Sequence, residues 1–103
     1  MDKINECMQI ISFGGEAKSL ALQAMKESRE RDFEQAEKSI KKSSEALLKS
    51  HKAHTNLLSY EAGEFEENQQ TSFFMVHAAD HLTAASVVNL LAEEIIYLHK
   101  ERT

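Results

Sequence analysis

The strongest constraint on this chain is how little in it can stop a helix. Its 103 residues contain no proline, and glycine occurs only as Gly14, Gly15 and Gly63. Because proline and glycine are the residues that most oppose helix, nearly the whole chain is free to be helical. The length suits one domain, residues 1–103, with no room for a second core of useful size.

Apolar spacing divides that length into three helices, at about 2–29, 32–62 and 72–101. In the first, Ile10, Phe13, Ala17, Leu20, Ala21 and Ala24 recur at steps of three and four, with Ile4, Met8 and Ile11 alongside. Gly14-Gly15 lies mid-helix, where each glycine costs about 1 kcal/mol relative to alanine. Such a pair marks either a close backbone approach to a neighbouring helix or a functional surface. The charged run 26–31 ends this segment, and Asp32 is suited to cap the next. There the stripe continues through Phe33, Ala36, Ile40, Ser43 or Ser44, Leu47, His51, His54 and Leu58, opposite a lysine- and glutamate-rich face. Gly63 and the polar stretch 64–70 supply the second loop, and Thr71 or Ser72 offers the third N-cap.

The third segment is the most hydrophobic, and it carries two stripes. One reads His77, His81, Ala84, Val88, Leu91, Ile95, Leu98; the other reads Phe73, Val76, Asp80, Thr83, Val87, Leu90. A helix in an isolated three-helix bundle needs one apolar face. The expectation is therefore an all-α, antiparallel (up-down-up) three-helix bundle whose third helix faces its own core on one side and copies of itself on the other.

Charge and cysteine content remove several classes of function. A formal charge of −5 with no basic stripe argues against nucleic acid, whose phosphates would need neutralising. The lone Cys7 cannot form an internal disulfide, and Asp2, Lys3 and Glu6 interrupt any apolar signal core near the start, so a reducing cytoplasm fits. No apolar run approaches the roughly 20 residues that cross a bilayer, which predicts no direct membrane insertion.

Against that background, two histidines and an aspartate within residues 77–81 of an apolar helix need a reason. Three readings compete. The residues can be satisfied by hydrogen bonds inside the bundle. They can hold a metal, since His77 and His81 are four apart with Asp80 between them, but the order of residues does not match the zinc-protease pattern and no cysteine joins them. Or one imidazole can be a nucleophile: neutral histidine attacks phosphorus, and its phosphoryl adduct is a good onward donor. A second imidazole then stands ready to hydrogen-bond the incoming phosphoryl oxygens.

The run Met75-Val76-His77-Ala78-Ala79-Asp80-His81-Leu82-Thr83 closely resembles the active-site helix of the lactose/cellobiose-type enzyme IIA of the sugar phosphotransferase system. Residues 11–21, 31–36, 50–55 and 93–100 resemble further stretches of the same family, so the likeness covers nearly the whole chain. It implies a cytoplasmic homotrimer of three-helix bundles that relays phosphoryl groups. His77 would accept phosphate from the phosphocarrier protein HPr, with His81 in support, and pass it to a cysteine of enzyme IIB, which phosphorylates a β-linked disaccharide as the membrane enzyme IIC transports it. Asp80 would lie at the trimer axis and hold a divalent cation, Mg²⁺. Two positions depart from the family pattern: Ala79 replaces an amide and His54 replaces Gln. They motivate an alternative, a regulatory or scaffolding bundle whose carrier activity has weakened.

Overall fold

The computed structural model describes residues 2–63 and 73–102. Three helices follow in order, α1 (Lys3–Arg29), α2 (Phe33–Gly63) and α3 (Phe73–Glu101). The all-α, three-helix architecture expected from the sequence is what the structure shows. Lys3 pairs with Glu61 at 2.8 Å, and Lys100 pairs with Glu37, so α1 meets α2, and α2 meets α3, in antiparallel pairs. Helix α1 is the central element, packing against both neighbours more extensively than they pack against each other.

The helix ends follow local chemistry. Asp2 caps α1, its side chain accepting from the Asn5 amide at 3.1 Å. Asp32 caps α2 in the same way, accepting from the Gln35 amide at 3.3 Å. Between them Arg31 takes a left-handed conformation, φ 66°, which ordinarily favours glycine. The Arg31 amide bonds Ser28 O and the Asp32 amide bonds Glu27 O, closing the orphan carbonyls of α1. Arg31 Nη1 then reaches His99 O at 3.2 Å and Arg102 O at 3.4 Å, so one residue closes the ends of two helices. The expected second loop, 64–70, and the Thr71 or Ser72 cap lie outside the described residues.

The core is built from small side chains. In α1 the buried line is Cys7, Ile10, Gly14, Ala17, Ala21, Ala24 and Ser28, while Phe13 and Leu20 of the expected stripe are half-buried. Ala36, Ala46 and Ala53 of α2 and Ala78, Ala85 and Ala92 of α3 are also buried. Such narrow residues bring backbones close enough for hydroxyls to bridge them. Ser50 Oγ donates to Ile10 O at 2.7 Å and Ser43 Oγ to Ala17 O at 2.6 Å, while Asn89 Nδ2 donates to Ser43 Oγ at 2.9 Å. The Ser43 and Ser50 hydroxyls and the Asn89 amide are thus paired across all three helices.

This packing corrects two expected faces. In the second half of α2 the buried line is Ala46, Ser50, Ala53 and Leu57, one residue ahead of the expected Leu47, His51, His54 and Leu58. In α3 neither apolar stripe is the core face. The buried line is Ala78, Leu82, Ala85, Asn89, Ala92 and Ile96. The first stripe runs along its edge, with His81, Val88 and Ile95 half-buried, and the second is exposed, Phe73 at 88% and Leu90 at 63%. Large side chains dominate a hydrophobic pattern, but only small ones fit where the helices approach most closely.

Candidate functional site

His77 and His81 project from the first turns of α3, one turn apart on the same side. Beneath them, Gly14 of α1 is packed against α3: a Cβ on Gly14 would lie 3.6 Å from His81 O and 3.4 Å from Ser50 Oγ. Gly14 therefore fits the close-approach reading, and it helps seat the His81 backbone. Gly15 does not, since a Cβ there would meet nothing within 4 Å.

The two imidazoles touch. Their Nε2 atoms are 3.2 Å apart, with ring centroids at 4.5 Å and planes crossing at 88°. In the neutral pair one Nε2 carries hydrogen and the other presents its lone pair. His77 is exposed and His81 half-buried. The outer ring is therefore open to a macromolecular partner, while the inner one is steadied by the bundle.

Asp80 does not join this pair. It is exposed, and at about 100° per residue it points about 60° away from His77, toward the second stripe. There it lines a groove of about 310 Å³ together with His54, Leu57, Glu61, Val76 and Ala79. His54 and Ala79, the two departures from the family pattern, thus belong to one groove between α2 and α3. It lies on the flank of α3 beside His77: Asp80, Val76 and Ala79 are rotated about 60°, 100° and 160° from that residue, all in the same direction. His51 is elsewhere again: the Ser86 hydroxyl donates to Leu82 O at 2.9 Å, and its Oγ accepts from His51 Nε2 at 3.2 Å. The sequence contained no signal for the His51–Ser86 or Lys3–Glu61 pairs. Their members come from different helices, and only packing brings them together.

Among the described residues no group of three or more His, Cys, Asp and Glu is placed to enclose a metal ion. Cys7 is unsuited to nucleophilic chemistry. Burial pushes its thiol up from the ordinary value of 9.0, and the neighbouring Glu6 and Glu61 charges push it further. Among the described residues no helix is long and apolar enough to cross a membrane.

Known proteins share this fold. The family model described as "PTS system, Lactose/Cellobiose specific IIA subunit" matches residues 5–100. The lichenan-specific phosphotransferase enzyme IIA component of Bacillus subtilis is 39% identical over 95 residues, which is 92% of this chain and 84% of that protein. In three dimensions the chain is similar to the cellobiose-specific enzyme IIA of Bacillus anthracis, with a TM-score of 0.87 and 31% identity over 98% of this chain and 91% of that one. It is likewise similar to the IIA of the Escherichia coli N,N'-diacetylchitobiose branch, solved in complex with HPr, with a TM-score of 0.83 and 30% identity over 98% and 96% of the two chains.

Proposed function

The chain belongs to the lactose/cellobiose-specific IIA family of the sugar phosphotransferase system, and on that footing we propose that it is a phosphoryl carrier whose acceptor is His77. The observation that carries the reading is the exposed His77 imidazole with its Nε2 3.2 Å from that of His81. Both donor and acceptor in such a relay are proteins, so the reacting nitrogen has to stand at the surface.

In the first transfer the lone pair of His77 Nε2 attacks phosphorus, the donor's phosphorus–nitrogen bond breaks, and its electron pair returns to the donor imidazole. His81 Nε2–H is then within reach of a phosphoryl oxygen, offsetting the charge of roughly −1.5 to −2 that arrives. In the second transfer a thiolate attacks and the His77 nitrogen–phosphorus bond breaks. Little is asked of the protein beyond positioning and charge stabilisation. The donor is HPr, with which the Escherichia coli relative was solved, and the acceptor is a cysteine of enzyme IIB serving a membrane enzyme IIC. The sugar is a β-linked disaccharide of the lactose, cellobiose or chitobiose class, and the carrier works in the cytoplasm.

The exposed strip of α3, with Val76, Val87 and Leu90 around Asp80, is the face on which three copies assemble. Asp80 brings one carboxylate per chain to that strip. This suits Mg²⁺, which prefers oxygen ligands, only when three copies pool theirs. Asp80 from each chain would hold it, and the cation would relieve the repulsion among the three carboxylates.

A regulatory or scaffolding role is the second reading, favoured by His54 and Ala79 facing one groove. Incubation with phosphorylated HPr separates the two. The carrier takes up acid-labile phosphate, loses that uptake in His77→Ala, and passes the group to a IIB cysteine. Uptake that persists in His77→Ala overturns the assignment, and stable partner binding without uptake supports the regulatory role.

A further inference from the structure

The spacing of the two imidazoles has a second chemical consequence. Zinc binds imidazole nitrogen at about 2.0–2.1 Å, so two nitrogens sharing one zinc at an angle of about 100° stand about 3.2 Å apart. The Nε2 atoms of His77 and His81 are already at 3.2 Å. We propose that this pair is a two-nitrogen site for a divalent transition metal of the Zn²⁺ class, and that metal bound there blocks phosphoryl acceptance. The binding step stands on the geometry alone; the blocking step rests on His77 being the acceptor.

Helix α3 holds the two rings one turn apart, so the second nitrogen binds at a reduced ordering cost. Both rings have to present lone pairs at Nε2, which places their protons on Nδ1, the other neutral tautomer being excluded by the metal. Borderline-soft Zn²⁺ accepts such ligands readily, whereas Mg²⁺ prefers oxygen. With no third His, Cys, Asp or Glu positioned to complete a cluster among the described residues, water fills the remaining positions. The site is therefore exchangeable rather than structural.

The other histidines are placed differently. His51 is engaged with Ser86, His54 lines the α2–α3 groove, and His99 shares its groove with the cations Lys26 and Arg29, which repel a metal ion. At His77, metal and phosphorus compete for one lone pair: while the nitrogen–metal bond exists, no nitrogen–phosphorus bond can form.

Calorimetric titration of the full chain with zinc chloride tests the binding step. One zinc per chain is expected for the wild type and for His51→Ala, with affinity lowered at least about tenfold in either His77→Ala or His81→Ala. Circular dichroism checks that these variants of surface and half-buried residues keep their helices. Absence of wild-type binding, or unchanged affinity in His81→Ala, overturns the site. For the blocking step, phosphoryl uptake from phosphorylated HPr is measured with and without zinc, at the concentration the titration shows to fill the wild-type site but not that of His81→Ala, in both proteins. Zinc is expected to suppress wild-type uptake, reversibly by EDTA, while suppressing the residual uptake of His81→Ala several-fold less, which also controls for zinc bound by HPr. Undiminished wild-type uptake, or equal suppression in both proteins, overturns the competition. If neither protein takes up phosphate even without zinc, the carrier reading fails and the blocking step falls with it, while the titration still decides the metal site.

Discussion

Gly14 of α1 lies directly under the His81 backbone of α3, 3.6 Å separating an ideal Cβ at Gly14 from the His81 carbonyl oxygen. Gly14 and His81, more than sixty positions apart in the chain, thus meet at one helix crossing.

An alanine at Gly14 would make ordinary contacts, but valine would push its methyls toward Ser50 and the His81 carbonyl. Gly14→Val is expected to lower stability by about 1–3 kcal/mol. Gly15→Ala, which meets open space, should raise it by about 0.5–1 kcal/mol through helix propensity. Urea denaturation of the two variants measures both signs.

Arg31 combines an unfavourable left-handed backbone with hydrogen bonds to His99 O and Arg102 O. Both Arg31→Ala and Arg31→Gly lose those bonds, yet only alanine keeps the backbone cost. The glycine variant is expected to be the more stable of the two by about 1 kcal/mol, read from their thermal midpoints. Equal midpoints would show that the left-handed conformation costs nothing here.

Three Asp80 carboxylates on a common axis would repel one another unless a cation or protons intervene. Sedimentation of the wild type should show a trimer that weakens when EDTA removes the cation. Asp80→Asn, which removes the repulsion, should remain trimeric in EDTA. A wild-type monomer at all concentrations would refute the assembly.

Burial, with help from Glu6 and Glu61, raises the Cys7 thiol above 9.0 in the folded chain. The unfolded chain therefore releases that proton first. The thiol's contribution to stability is complete below the ordinary value and is lost as pH rises through it toward the folded value. Stability should decline above about pH 9 in the wild type and decline less in Cys7→Ala, compared by denaturation at pH 8 and pH 10. Thiol-specific reagents should label Cys7 slowly until the chain unfolds.

How much of this could be read in the sequence differs from residue to residue. The missing prolines and the Asp32 cap are local matters, settled within a turn or two of chain, and they were legible. So was the closeness of His77 to His81, because a helix places residues four apart side by side. The core faces were not. Leu47 outweighs Ala46 in any hydrophobic pattern and Leu58 equals Leu57, yet Ala46 and Leu57 are buried while Leu47 is half-buried and Leu58 exposed. A side chain's size counts toward burial only where there is space for it, and the space depends on how closely the partner helix lies. Arg31 was equally hidden, since its left-handed turn is supported by carbonyls of α3 that sequence distance conceals.

The sequence by itself determined that this chain is helical, that it divides into three helices, and that one of them carries paired imidazoles beside an acid. These follow from propensity, periodicity and the pitch of a helix, all of which act over a few residues. Only the tertiary structure decided which flank of α3 is buried, that Gly14 supports His81, and that Asp80 shares an α2–α3 groove with His54 and Ala79. Those outcomes depend on contacts between helices, where steric fit between surfaces remote in sequence, and not the character of any single stretch, selects the arrangement.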